Sequence, residues 1–372
     1  MARVVISGYY GFRNAGDEAV LFSMVRALKA LSPGVELTVL SHNPRETEAF
    51  LPVRAVNRWS LREVWAALRR ADLLLSGGGS LLQDVTGPKS LFYYLGILML
   101  ARLSRTPFML YAQGVGPLKR KWGRWLTGRM VDRAALVTVR DSASRDLLRA
   151  VGVRRPGIQV TADPVIGLKP GELNLEQGKK KLDALEPSER PRVALALRSW
   201  RGQENFYPAL GRVTGELISR GWQPVLLPFQ FPHDLEACRE AGRYIQVEVP
   251  ILREYLPTED LLGFLSGFQL VVGMRLHALI MAAVLGIPFV AIPYDLKVEA
   301  FARQVEQPCC SYIETITYEG LCAKVMDVVQ NLEIYRYRLE QAVAELRPRA
   351  LANARLALEL LDSGTGRGCS FD

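Results

Sequence analysis

Residues 4–31 read VVISGYYGFRNAGDEAVLFSMVRALKAL. Val4-Val5-Ile6 is an unbroken apolar run, the pattern of a strand buried on both faces. From Glu18 to Leu31 the apolar residues return at helical spacing. Between them lies a loop with glycine at 8, 11 and 16. Strand, glycine loop and helix in that order are the opening of a βαβ unit, and the order recurs along the chain. Val35 to Leu40 reads as a strand, Ser60 to Arg70 as a helix, and Leu73-Leu74-Leu75 as a strand running into Gly77-Gly78-Gly79. Phe108 to Tyr111 and Leu136 to Val139 are further short apolar strands. Repeated units of this kind demand a parallel sheet covered by helices on both faces.

The alternation pauses between Leu168 and Arg192, where Pro170, Pro187, Pro191 and the run Lys179-Lys180-Lys181 fall. It resumes with strands expected at Val193 to Leu197, Pro224 to Pro228, Gln246 to Val249, Leu270 to Val272 and Phe289 to Ile292, and with helices such as Thr258 to Gly267 and Ala278 to Leu285. The fold class is therefore α/β, with two Rossmann-like domains whose parallel sheets face across a cleft. The expected division is 1–168, a linker with a lead-in helix at 169–192, a second domain at 193–334, a helical segment at 335–362 and a frayed tail at 363–372. A length of 372 residues suits two ordinary domains.

Composition narrows the function. The chain is 49% hydrophobic and 23% charged, so two cores can be filled. Its formal net charge of +9 favours anionic partners: phosphates, nucleic acid or acidic membranes. No zinc finger or RNP-type strand is present, so nucleic acid is not expected. Five cysteines, an odd number with no C-x-x-C pair, fit a reducing cytosol and argue against a disulfide framework or a zinc site. No metal and no cofactor are expected. Met-Ala-Arg runs into the first strand without the pattern of a signal peptide. The longest apolar stretch, Leu91 to Leu103, carries Arg102 and is too short to span a bilayer; core is its expected place. A cytoplasmic protein follows.

In parallel sheets of this class ligands bind beyond the carboxyl ends of the strands. The first loop there, Gly8 to Glu18, lets the backbone approach a ligand at a helix start, with Gly11, Asn14, Gly16 and Asp17 the useful positions; simple capping by Asp17 is the alternative. It lacks the G-x-G-x-x-G spacing of a dinucleotide site. The second, Ser76 to Asp84, presents Gly78 and Gly79, which can hold an oxyanion or a sugar hydroxyl, and Gln83 and Asp84, which add polar reach; the alternative is a tight turn. The third begins at Gln113 and the fourth is Arg140-Asp141-Ser142. Arg140 either clamps a carboxylate or phosphate or pairs with Asp141 or another neighbour.

In the second half Gly273 to Ala278 carries Arg275 and His277, the latter one of only three histidines. An imidazole at a helix start beyond a strand is placed for acid or base work, although a lone histidine is more often structural. Lys297 falls in the next loop and Arg198 follows Leu197, so Arg198, Arg275, His277 and Lys297 form a plausible anion pocket. Lys297 as a solvated surface lysine is the alternative. Finally, 119–133 interleaves lysine and arginine with Trp122, Trp125, Leu126 and Met130. It reads either as a surface helix with one buried stripe, the favoured reading, or as a peripheral contact with an anionic membrane at the inner face of the cell.

Seven of these segments together resemble the polysaccharide pyruvyltransferase family, in particular its CsaB type: GYYGFRNAGDEAVL at 8–21, LLLSGGGSLLQD at 73–84, YAQGVGP at 111–117, VRDSAS at 139–144, ADP at 162–164, MRLHALIMA at 274–282 and PYDLKV at 293–298. Arg13 departs from the pattern, which favours a small polar residue, often Asn, at that place. The resemblance implies a GT-B-like fold. It implies transfer of pyruvate from phosphoenolpyruvate onto two hydroxyls of one sugar, giving a ketal and releasing phosphate. For the CsaB type the implied acceptor is N-acetylmannosamine on a lipid-pyrophosphate-linked secondary cell-wall polymer precursor, the ketal later serving in S-layer anchoring. Arg140, His277 and Lys297 fall on the family's donor-site positions, with Arg275 and Arg198 as further phosphoenolpyruvate ligands. The acceptor is then expected on Gly11, Asn14, Gly16, Asp17, Gly78, Gly79, Gln83, Asp84 and Gln113. Two rival readings are a nucleotide-sugar-dependent GT-B glycosyltransferase, for which no acidic ribose ligand is evident, and a non-catalytic glycan-binding module.

Overall fold

The computed structural model describes residues 1–85, 87–201 and 204–363, and the chain divides into two compact units. The first comprises Met1–Gly167 together with the chain from Leu346 onward; the second is Leu168–Glu345. Of the expected frayed tail, 363–372, all but Ser363 lies outside the described residues.

The first unit is built on seven strands: β1 (Arg3–Tyr10), β2 (Glu36–Ser41), β3 (Arg54–Asn57), β4 (Leu73–Gly77), β5 (Phe108–Gln113), β6 (Leu136–Val139) and β7 (Ile158–Val160). Their order is β3-β2-β1-β4-β5-β6-β7, every pair parallel. Every residue of β4 and β5 is buried, as their unbroken apolar runs require. The order reverses direction between β1 and β4. That reversal is the topological switch point where such sheets open a crevice. The short strands β3 and β7 escape a reading by apolar runs because their residues are only half-buried or exposed.

The last helix, Leu332–Asp362, closes this unit's far edge with its second half. Asn353 is fully buried; its amide accepts from the Thr161 hydroxyl at 2.9 Å and donates to the Ala162 carbonyl at 3.2 Å. Arg349 donates to the Thr161 carbonyl at 3.0 Å.

The second unit holds β8 (Arg192–Ala196), β9 (Gln223–Leu226), β10 (Leu270–Gly273) and β11 (Phe289–Ala291), all parallel, in the order β11-β10-β8-β9. Its switch point lies between β8 and β10. Gln246 to Val249, expected as a strand, is not one. Gln246, Val247 and Glu248 are all exposed, which no strand of a covered parallel sheet tolerates. The chain reaches the edge of β9 only after them, where Leu226 donates to the Pro250 carbonyl and accepts from Leu252. Within the expected linker, Glu176–Leu185 forms a helix that packs on Thr258–Leu265.

Candidate active site

The carboxyl ends of β1 and β4 carry the two glycine loops of the first unit. Asn14, not Asp17, caps helix Ala15–Leu31: its side-chain oxygen accepts the Gly16 N–H at 3.1 Å. Asn14 has the extended backbone a cap needs, whereas Asp17 already lies inside the helix. Asp17 instead faces the second loop. Gly79 sits at φ +64°, and a Cβ there would fall 2.6 Å from the Asp17 Oδ1. Only glycine permits that approach. The Gly78 N–H donates to the Tyr111 carbonyl, and the Gly79 carbonyl accepts from the Gly114 N–H and the Gln113 amide. Gln113 is fully buried. Gln83 accepts from the Val85 N–H. Asp84 is also buried and holds the N–H groups of Lys119 and Arg120 at 2.8 and 2.7 Å. Of the expected acceptor residues, Gln113 and Asp84 thus build the loops from within, whereas Asn14 and Asp17 keep part of their surface open.

Arg140 is 8% exposed, just beyond β6. Its partner is Asp163 at 2.9 Å rather than Asp141, which is 3.8 Å away. A second nitrogen donates to the Ser80 hydroxyl at 3.2 Å. The guanidinium therefore spans from the β6 loop to the β4 loop. A Cβ on Gly114 would lie 3.0 Å from it, so glycine is what lets the third loop pass.

Three features of this edge are not singled out by the sequence pattern. Glu18 accepts the Gly11 N–H at 2.7 Å, and burial pushes its carboxyl up to about 8 against the opposing pull of the Gly11 and Phe12 N–H groups. Tyr9, Phe12 and His42 form a ladder of rings with centroids 4.1 and 4.4 Å apart, and Trp59 donates its indole N–H to the His42 Nδ1 at 3.0 Å. That bond leaves the other imidazole nitrogen of neutral His42 as its donor. Beneath the ladder Arg58 is 4% exposed, its guanidinium 5.0 Å from the Phe12 ring and 4.2 Å from that of Tyr93. It donates to the Gly8 carbonyl at 2.8 Å, while its Nε has no partner among the described residues. Tyr9 lies at the end of β1, Phe12, His42 and Trp59 follow β1, β2 and β3, and Tyr93 lies in the helix after β4, so only the sheet order brings these rings together.

In the second unit the residues expected to form an anion pocket follow neighbouring strands at their carboxyl edges. β10 stands between β8 and β11, which places the Arg275–His277 loop between Arg198 and Lys297. Arg275 is held by both oxygens of Asp234, and by Gln230 at 3.2 Å. Asp234, 2% exposed, also accepts the N–H groups of Phe229 and Gln230. The charge of Arg275 is thus matched by a carboxylate that the sequence pattern did not reveal. Arg198 lies 4.5 Å from the Tyr294 ring and 5.1 Å from that of Trp200. Burial raises the Tyr294 phenol above its ordinary range despite the Arg198 charge, so it stays protonated. His277 lies in the first turn of helix Leu276–Val284, and the Lys297 N–H bonds the capping Asp295 at 3.0 Å.

A family model for polysaccharide pyruvyl transferases matches residues 14–295. The chain belongs to that family. The match takes in the end of the first glycine loop from Asn14, the whole of the second, and the His277 loop of the second unit. This family member is 24% identical over 305 residues to the amylovoran biosynthesis protein AmsJ of Erwinia amylovora, covering 77% of this chain and 72% of that one. In fold it is similar to HepE of Anabaena, solved with UDP-glucose, at a TM-score of 0.67 and 13% identity over 98% of this chain and all of the other. It is likewise similar to the UDP-GlcNAc 2-epimerase of Neisseria meningitidis, at 0.65 and 12% over 98% and 100%. The chain therefore has the α/β fold of GT-B glycosyl enzymes and the sequence of a pyruvyl transferase that acts on a polysaccharide.

Proposed function

We propose that this transferase takes pyruvate from phosphoenolpyruvate and sets it as a ketal on one sugar of a lipid-linked glycan. The observation that carries the reading is the family's own sequence around His277 at the switch point of the second sheet, flanked by Arg198 and Lys297. Phosphoenolpyruvate brings a carboxylate and a phosphate, and cations beside an imidazole suit both.

In the proposed reaction two hydroxyl oxygens bond to the central carbon of the enol phosphate, and the bond from that carbon to the phosphate oxygen breaks. One hydroxyl proton ends on the methylene carbon, which becomes the methyl group, and the other leaves with phosphate. His277 carries one of these protons. Lys297 and Arg198 hold the anionic groups, and Arg275, fixed by Asp234, sets the loop that presents His277. The glycine loops of the first unit, with Asn14, Asp17 and the Tyr9–Phe12–His42 ladder, receive the sugar. N-acetylmannosamine on a cell-wall polymer precursor is the acceptor proposed for a CsaB-type member, at the cytoplasmic face of the membrane.

The test is release of phosphate from phosphoenolpyruvate in the presence of the glycan, with the product weighed. A ketal adds pyruvate less one water. A gain of one hexose residue from a nucleotide sugar would replace this reading with glycosyl transfer. Binding of glycan without phosphate release would reduce the protein to a glycan-binding module.

A further inference from the structure

Helix Pro88–Leu103 was expected to be core, and half of it is: Leu91, Tyr94, Leu95, Leu98 and Ala101 are buried. Its outward stripe is also apolar. Phe92, Met99 and Leu103 fall at helical spacing and are 53%, 41% and 65% exposed. The neighbouring helix, Lys121–Val131, adds Trp125, 63% exposed. The pair is locked by the Phe92 ring stacked on Trp122, centroids 4.6 Å apart and planes 6° from parallel.

The stretch that builds these two helices carries charge of one sign up to its closing cap, Asp132. Residues 85–131 contain eight lysines and arginines and no aspartate or glutamate. Elsewhere surface cations find partners at helical spacing, as Lys179 with Glu176 and Arg303 with Glu299. Here the local sequence supplies no carboxylate to Lys89, Lys121 or Arg124, and Asp132, three residues after Arg129, accepts the N–H groups of Arg154 and Arg155. The nearest acid before the stretch, Asp84, is buried and spent on the backbone N–H groups of Lys119 and Arg120, which pins the chain just before the helix start.

We propose that the outward faces of these two helices form a docking surface for an anionic lipid bilayer. Exposed aromatic and aliphatic side chains enter the headgroup boundary while cations at their rim meet lipid phosphates. A protein partner is the weaker occupant, because protein interfaces are depleted in lysine and balance their charges. Docking is peripheral: among the described residues no helix is long and apolar enough to cross a membrane. Both helices start after β4 and β5, at the carboxyl edge that carries the glycine loops. The inference does not depend on the reading of the acceptor, and its test needs no substrate.

The full chain is sedimented with vesicles of phosphatidylcholine alone and with vesicles in which about a third of the lipid is phosphatidylglycerol. The protein is expected to pellet with the second kind only, and to be released by salt. Replacing Lys121 or Arg129 with alanine weakens the partition roughly five-fold per charge. Trp125→Ser and Met99→Ser weaken it about ten-fold by withdrawing apolar surface. Unchanged circular dichroism shows that each variant is folded. Equal pelleting with both vesicle types, or folded variants that partition like the parent, overturns the proposal. So does a dimer that Trp125→Ser dissociates while anionic vesicles bind nothing, since the face then belongs to a second copy.

Discussion

Glu18 ends the loop that carries the first motif, yet nothing in its spacing marks it as different from Asp17. The fold makes the difference, by closing Glu18 in against two backbone N–H groups and lifting its carboxyl from about 4.5 to about 8. The raised value has a sign. The native state keeps a proton that the unfolded chain gives up, so the contribution is whole below pH 4.5 and is lost as pH rises through 8. Stability should therefore fall by a few kcal/mol across that window. Glu18→Gln, which still offers an oxygen to the Gly11 N–H, should flatten the fall, and denaturant melts from pH 5 to 9 measure it. Arg13 carries the other residue-scale lesson. Its φ of +54° lies in the left-handed region, which explains why asparagine suits that place. Its exposed ion pair with Glu46 offsets little of that strain. Arg13→Asn should stabilise by about 0.5–1 kcal/mol, read as a thermal midpoint a degree or two higher. For chemistry, His277→Ala should lower turnover by ~10²–10⁴ with the thermal midpoint unchanged. A variant that turns over like the parent would remove His277 from the reaction.

At the scale of elements, unbroken apolar runs were enough to locate β1, β4, β5 and β10, because a strand covered on both faces has no other composition open to it. They failed at Gln246 to Val249, where a run with the right residues stays in solvent. They also failed at β3 and β7, edge strands whose one open side admits polar residues. The candidate site divides the same way. His277, Arg275, Lys297 and Arg198 follow strands and are legible once strand ends are known. Asp234 is not, because it lies in helix His233–Arg243, after a different strand, and meets Arg275 only when β9 and β10 are set on either side of β8. That pairing ties one strand-end loop to another. Asp234→Ala should strand a guanidinium that is 13% exposed and cost roughly 3–5 kcal/mol in the second unit. Arg275→Leu in the same background should recover part of that loss, since no charge is then left unpaired. Chemical melts of the two variants decide it, and equal stability of both would show that the pair is not what holds these loops.

At the scale of the whole molecule, the chain leaves the first unit after Gly167 and re-enters it at Leu346, so the first unit is not a continuous stretch of sequence. No reading of apolar runs foresees this. The amphipathic pattern of the last helix is plain, but the sheet that receives it is not. Leu346, Ala350, Asn353, Ala354 and Ala357 are all buried, spaced as one helical face. Without them the Ala162 carbonyl loses its buried partner at about 1–3 kcal/mol, Thr161 loses its bonds to Asn353 and Arg349, and Leu346, Ala350, Ala354 and Ala357 lose their packing. That sum is comparable to the whole stability of an ordinary domain. Residues 1–167 expressed alone should therefore be poorly folded, with weak protection in hydrogen exchange along β6 and β7. The same stretch joined through a flexible linker to residues 346–363 should regain protection there. Asn353→Leu in the full chain isolates the polar part, since it keeps bulk and helix while leaving the Ala162 carbonyl unmatched and the Thr161 hydroxyl only the Val139 carbonyl, and should cost about 1–3 kcal/mol. If residues 1–167 alone exchange as slowly as they do in the full chain, the returning helix is an ornament on a unit already complete.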